Sequence, residues 1–220
     1  MENKQTALWL APMAGGGDRA FRESCAAFGA DHFCTEMISA KAYHFRDKKT
    51  EELAVIGEIA RPSAIQLFGS EPLILAEAAA HFSQNEACAE IDLNFGCPVP
   101  KIVNNKEGSA LLRDPARCRE IVRAVVAASK KPVTVKLRTG WTKDEMTAPQ
   151  IASLCEEEGA ALITVHGRAR EDFYRDNTVS YRAIRAVKEA VKIPVIANGG
   201  IDSPASAQAM LEATHADGIM

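Results

Sequence analysis

Short apolar runs alternate with longer amphipathic stretches along the whole chain. The runs fall at Leu8–Met13, His32–Met37, Ser63–Phe68, Glu90–Phe95, Val133–Arg138, Leu162–His166 and Pro194–Asn198, and an eighth occupies Asp217–Met220. Their lengths and flanking turn residues predict strands. Several are nearly continuous in apolar residues, as strands covered on both faces are. Between them, start and stop signals predict helices. Asp18 caps Arg19–Phe28, and Gly29 follows its end. Ser70 caps an alanine-rich segment running through His81. Asp114-Pro115 places an N-cap before a proline at the first helical position and opens a segment through Ala128. Thr147 starts a helix to Glu158, with Gly159 behind it, and Ser203-Pro204 repeats the cap-plus-proline device before Ala205–Ala213.

Strand-helix alternation implies an α/β fold with parallel strands and right-handed crossovers. Seven such units and an eighth strand favour a TIM (β/α)₈ barrel. The rival is an open doubly wound sheet, but Gly15-Gly16-Gly17 after the first strand lacks the GxGxxG spacing of that class. No linker or low-complexity stretch divides residues 1–220, which read as one barrel domain. The barrel is expected to be truncated at or just after its eighth strand, because closing and covering the sheet takes a last strand and a final helix.

Composition narrows this only slightly. Of 220 residues, 47 % are hydrophobic and 25 % charged, an ordinary globular balance, and the net charge of −3 advertises no nucleic-acid binder. The six cysteines are scattered without a CxxC pair, so neither a disulfide framework nor a metal site is expected. Reduced thiols point to the cytoplasm. The polar Met1–Ala7 segment lacks a signal-peptide pattern, and no apolar stretch approaches the roughly 20 residues of a membrane span.

Barrel enzymes place their reactive groups at the C-terminal ends of the strands. Here those ends carry Pro12-Met13-Ala14, Glu36-Met37, Gln66, Asn94 with Gly96-Cys97-Pro98, Lys136 with Arg138, His166-Gly167-Arg168, and Asn198-Gly199-Gly200. Lys136 and Arg138, two apart, share one side of their strand. Inward charges call for an anionic ligand or for carboxylate partners, for which Glu36 and Asp92 are the candidates. Gly199-Gly200, between a strand and a capped helix, offers backbone N–H groups to a phosphate, although glycines also serve plain turns. Cys97, in a turn beside Asn94, is either a small buried filler or a thiol able to exchange a proton with a bound substrate. His166 is either a packed core histidine or a ligand contact.

Taken together these segments resemble the tRNA-dihydrouridine synthase family. The resemblance is carried by Leu10-Ala11-Pro12-Met13-Ala14, Asp18-Arg19-Ala20-Phe21-Arg22, Thr35-Glu36-Met37, Gln66-Leu67-Phe68-Gly69 and Asp92-Leu93-Asn94-Phe95-Gly96-Cys97-Pro98. It continues through Gly108-Ser109-Ala110-Leu111-Leu112, Val135–Trp141, Thr164-Val165-His166-Gly167-Arg168 and Ile196-Ala197-Asn198-Gly199-Gly200-Ile201. The resemblance implies an FMN-binding barrel that reduces the C5=C6 bond of uridine in tRNA, with NADPH as the reductant. It implies that Pro12, Met13 and Ala14 pack against the flavin and that Gln66 meets its pyrimidine edge. Lys136 would sit near N1 and O2, and His166, Asn198, Gly199 and Gly200 would hold the ribityl-phosphate tail. Asn94, Arg138 and Arg168 are the expected substrate contacts, and Cys97 the proton donor to C5, with hydride reaching C6. The target base would be flipped out of its stack. The sequence departs from the family pattern at Phe173-Tyr174-Arg175-Asp176-Asn177, which lacks the usual glycine. The family also continues past strand eight, with a further phosphate contact and a helical tRNA-binding domain. The alternatives are an FMN barrel acting on a free pyrimidine, of the dihydroorotate or dihydropyrimidine type, and a non-catalytic flavin- or RNA-binding remnant.

Overall fold

The computed structural model describes residues 6–220, so most of the polar Met1–Ala7 segment lies outside the described residues. Among the described residues nine parallel strands form one sheet: β1 (Ala7–Leu8), β2 (Phe33–Cys34), β3 (Ile38–Ser39), β4 (Ser63–Phe68), β5 (Cys88–Phe95), β6 (Val133–Arg138), β7 (Leu162–His166), β8 (Val195–Asn198) and β9 (Gly218–Ile219). β2 and β3 both pair with β4 and together fill one barrel position. The run expected at His32–Met37 is therefore two short strands with a break at Thr35-Glu36-Met37. There the Thr35 hydroxyl accepts from the Gln66 N–H, replacing a ladder bond. β4 to β9 follow in chain order, and β9 pairs with β1 through Ala7↔Gly218 and Leu8↔Ile219. A single bridge, Trp9↔His32, joins the other side of β1 to the second position, so the ring closes. The Trp9 and His32 rings stack there at 4.1 Å. The expected α/β TIM-type barrel is what the chain forms, with residues to Met220 completing its eighth position.

The helices are α1 (Arg19–Ala27), α2 (Ala40–His44), α3 (Lys49–Leu53), α4 (Pro72–Phe82), α5 (Pro100–Val103), α6 (Pro115–Ala128), α7 (Ala148–Glu157), α8 (Tyr181–Ala190) and α9 (Pro204–Thr214). Asp18, Asp114 and Ser203 cap α1, α6 and α9 through their side chains, each cap contributing about 1 kcal/mol. Ser70 does not cap α4: Glu71 holds that position without a side-chain bond, because Pro72 has already taken the first helical turn. Thr147 precedes α7 but its hydroxyl is buried without a partner. α8 has neither proline nor glycine at its ends. Ser180 caps it, and Ala183, Ile184 and Val187 form its buried stripe.

The apolar core lies between sheet and helices. Ile65, Leu67, Ile91, Leu93, Val133, Val135, Leu137, Ile163, Val165 and Val195 point outward into the helical layer and are buried with it. Their neighbours point inward and are largely polar: Gln66, Glu90, Asp92, Asn94, Thr134, Lys136, Arg138, Thr164, His166 and Asn198. The strands are thus covered on both faces, but only one cover is apolar. This strict alternation delivers polar groups to the inside of the ring, and the ladder lines them up at its C-terminal mouth. Among the described residues no helix is long and apolar enough to cross a membrane, and no three His, Cys, Asp or Glu side chains converge as metal ligands.

Candidate active site

A cavity of about 510 Å³ opens at the mouth. Pro12, Met13, Ala14, Gln66, Asn94, Cys97, Lys136, Arg138, His166, Arg168, Asn198 and Gly199 all line it. Every residue expected at the site is therefore brought together except Gly200. That glycine lies in an adjoining cleft of which Arg168 and Gly199 form the shared wall.

The floor is a chain of oriented hydrogen bonds. Buried Asp92 accepts from Gln66 Nε2 at 2.7 Å and from the Thr134 hydroxyl at 2.7 Å. Gln66 Oε1 accepts from Asn94 Nδ2 at 2.8 Å. Asn94 Oδ1 then accepts from the Cys97 N–H at 2.9 Å and the Gly96 N–H at 3.2 Å. A carboxylate only accepts, so it fixes which way both amides face. Their orientation in turn holds the Gly96-Cys97 turn against the end of β5. Gln66 keeps one amide hydrogen for a ligand. Asp92 was not among the expected site residues, although its spacing of two from Asn94 puts it on the same inward face.

Cys97 is half-buried on the cavity wall. Burial pushes its thiol pKa up, against the smaller opposing effects of the Val99 N–H and Arg138, so the sulfur carries its proton at neutral pH. The Ser109 hydroxyl donates to the Cys97 carbonyl at 2.9 Å and fixes the turn from behind. Gly108, at φ 59°, packs so close that a Cβ would sit 2.7 Å from that carbonyl. Cys34, Cys88, Cys118 and Cys155 are buried fillers.

Lys136 Nζ donates to Asn198 Oδ1 at 2.8 Å, and Asn198 Nδ2 donates to the Met220 carbonyl at 2.8 Å. Neither expected carboxylate partner pairs with Lys136: Glu36 accepts from the Gly15 N–H, and Asp92 is taken by Gln66 and Thr134. Burial, with Arg138 nearby, lowers the Lys136 pKa to about 8, and Asp92 partly restores it. Arg138 is 1 % exposed and donates to the carbonyls of Gly96, Ala169 and Phe173 at 2.8, 3.0 and 2.8 Å. Its guanidinium carbon lies 5.3 Å from the centre of the Tyr174 ring. Arg138 therefore ties the loop after β5 to the loop after β7, and Glu36 and Asp92 play no part in holding it.

His166 is driven to a pKa of about 2 by burial and by Lys136, Arg138 and Arg168, so it is neutral. With Arg168 Nη1 donating to its Nε2 at 3.1 Å, the ring proton belongs on Nδ1. Arg168 is further held by the Arg175 carbonyl and the Thr178 hydroxyl. The structure thus groups Arg168 with His166, Gly199 and Gly200. Gly199 has φ 110°, and a Cβ there would fall 2.6 Å from His166, so the close approach requires glycine. Met37 and Tyr174 also line the cavity. Met37, which the sequence placed at a strand end without a role, lies in the break between β2 and β3. Tyr174, 68 % exposed, is seated by its contact with Arg138, which no local pattern encodes.

The sequence profile described as Dihydrouridine synthase (Dus) matches residues 9–220. A probable tRNA-dihydrouridine synthase of Rickettsia bellii is 43 % identical over 212 residues, which cover 96 % of this chain and 64 % of the relative. The tRNA-dihydrouridine synthase B of Vibrio parahaemolyticus is 43 % identical over 213 residues, 97 % of this chain and 66 % of the relative. The chain thus spans just under two thirds of these relatives. Among solved structures, an old yellow enzyme homologue from Zymomonas mobilis superposes with a TM-score of 0.68 at 11 % identity, covering 96 % of this chain and 83 % of the other. A lactate oxidase from Pediococcus acidilactici gives 0.61 at 18 %, covering 96 % and 61 %. At such identities these likenesses speak for the barrel alone. The profile match over nearly all the described residues, with the relatives' identity, makes this chain a member of the dihydrouridine synthase family.

Proposed function

We propose that this chain carries the catalytic barrel of a tRNA-dihydrouridine synthase, reducing the C5=C6 bond of a tRNA uridine on bound FMN with NADPH as the electron source. The observation that carries the reading is a protonated thiol, Cys97, lining a cavity that it shares with the cations Lys136, Arg138 and Arg168. The relatives' names supply the substrate class.

The residues present fit FMN. Lys136 is a buried cation with only an amide for a partner, and an anionic ring edge would raise its depressed pKa. Arg168, neutral His166 and the positive-φ pair Gly199-Gly200 offer donors and close backbone approach to a phosphate. The apolar Pro12–Ala14 turn, closed by the Gly17 N–H donating to the Met13 carbonyl at 2.7 Å, offers one face for a flat ring. Bound there, the flavin would take a hydride equivalent from NADPH and supply it to uracil C6.

The remaining steps belong to the chain. Asn94 and the free Gln66 hydrogen orient the reacting groups. Cys97 gives its proton to C5 and regains one from water, so that uridine, NADPH and a proton become dihydrouridine and NADP⁺. A positioned general acid is worth about a hundredfold or more. A base stacked in a helix cannot enter so recessed a cavity, so the target nucleotide is everted. Incubation of the purified chain with FMN, NADPH and unmodified tRNA should yield dihydrouridine, and free uridine should not react. The variant Cys97→Ala should keep its flavin absorbance and lose at least about 100-fold in tRNA turnover. Undiminished turnover would take Cys97 out of the mechanism, and reduction of free uridine alone would replace tRNA as the substrate.

A further inference from the structure

Beside the mouth, three loops bring Arg113, Trp141 and Arg170 into one stack. Arg113 ends the 3-10 turn Gly108–Arg113, and its guanidinium carbon lies 5.0 Å from the Trp141 ring centre. Arg170, from the loop after β7, lies 4.6 Å from the same centre and 5.4 Å from the Phe173 ring. The stack is continuous with the cavity wall, because Arg138 donates to the Phe173 carbonyl and lies under Tyr174.

These two arginines are held by aromatic faces with no carboxylate to neutralise them. In the helical layer Arg117 meets Glu120, Arg119 meets Glu157 and Glu158, Arg123 meets Glu158, and Arg185 meets Glu189. Among the described residues, neither Arg113 nor Arg170 forms an ion pair, and Arg170 Nε is buried without a hydrogen-bond partner. Acidic neighbours are turned to backbone groups instead. Asp114 accepts from the Arg117 N–H, Glu171 from the Lys143 N–H and Asp172 from the Ala169 N–H. An aromatic face attracts a guanidinium and holds its position, but leaves its full charge and its hydrogen-bond donors available. Two cations held this way outside the mouth cannot be reached by a mononucleotide seated within it. A polynucleotide with one base inside has flanking phosphates at the rim.

We propose that the Arg113–Trp141–Arg170 stack binds the phosphate backbone of the RNA strand flanking the inserted uridine. This rests on the tRNA reading above and adds to it where the strand runs. Trp141 is the positioning residue and the two arginines bind the phosphates.

The test is the salt dependence of binding of unmodified tRNA to the flavin-loaded chain. Removing one phosphate-binding cation lowers the slope of log affinity against log salt by about 1. Arg113→Ala should therefore weaken binding most at low salt, its deficit shrinking about threefold between 50 and 200 mM. Arg113→Glu should show a larger deficit, and Arg113→Lys should keep the wild-type slope. Flavin absorbance and turnover at saturating tRNA should stay unchanged. Arg170→Ala should act in the same way; if it disturbs flavin binding, the exposed Arg113 variants decide. Wild-type affinity and slope in Arg113→Ala and Arg113→Glu, with tRNA still bound and reduced, would overturn this inference alone. Failure of the wild-type chain to bind tRNA would overturn it together with the tRNA reading.

Discussion

At the level of Gln66 and below, the inward side chains of β5 and β6 are Glu90, Asp92 and Thr134; above it they are Asn94, Lys136 and Arg138, joined from β7 and its following loop by His166 and Arg168. The lower set is acidic, and Asp92 in it is closed on the protein's own donors. Asp92 is buried with its oxygens bonded to Gln66 and Thr134. The upper set is cationic and open to the cavity, with Lys136 answered by one amide. Buried charge is costly unless something meets it. The lower layer meets that cost within the protein, and the upper layer is arranged for a ligand to meet it. Asp92 beneath also helps Lys136 keep its proton. One ring of alternating strands thus separates a structural polar layer from a functional one by a single step of two residues.

The contrast can be broken from either side. Asp92→Ala should cost the most, about 3 kcal/mol of stability by urea unfolding, because two buried donors are left without their acceptor. Asp92→Asn should cost less, since its amide oxygen can still accept from Gln66 while the Thr134 hydroxyl reverses. Equal stability of wild type and Asp92→Ala would mean the lower layer is not closed as described.

Lys136→Met should leave unfolding nearly unchanged and weaken FMN binding by about 2 kcal/mol, roughly thirtyfold, in a fluorescence titration. In the wild type that affinity should fall as pH rises through about 8, where the free lysine loses its proton. The variant should lose this pH dependence.

The smallest effect concerns Glu90. Burial and the nearby Asp92 raise its pKa to about 7. The folded state therefore holds a proton that the unfolded chain releases near its ordinary value. Stability from this group is present below that ordinary value and declines as pH rises towards 7. Glu90→Gln should flatten the fall in melting temperature between pH 5 and 8. An identical slope in the variant would place the proton elsewhere.

The site is legible in the sequence to the extent that it follows the strand ladder. Gln66, Asn94, Lys136, His166 and Asn198 are found at the mouth because period-two alternation and strand ends decide both their face and their height. What local pattern does not carry is which partner each side chain finds. Arg138 reads in the sequence as a ligand contact or a carboxylate's partner; it lines the cavity without a carboxylate partner and holds three carbonyls contributed by loops distant in sequence. Arg168, expected near the substrate, is turned towards the Gly199 turn by Thr178 and the Arg175 carbonyl. The same limit applies to the fold. The second barrel position splits because a Thr35 hydroxyl can stand in for a backbone acceptor, and α8 goes unmarked because a lone serine cap is a weak start signal.

The pairing of β9 with β1 has a consequence for the order in which the molecule can form. Met220 orients Asn198, which holds Lys136, and Gly218 and Ile219 complete the ring with Ala7 and Leu8. The cavity therefore depends on contacts between opposite ends of the described chain, the kind whose loop-closure entropy is met last and which slow folding most. A ribosome-bound chain that had emerged only as far as β8 would have every strand needed for the lower layer but not the support for Lys136. Cofactor capture would then be a late event in biogenesis, falling after the ring has closed.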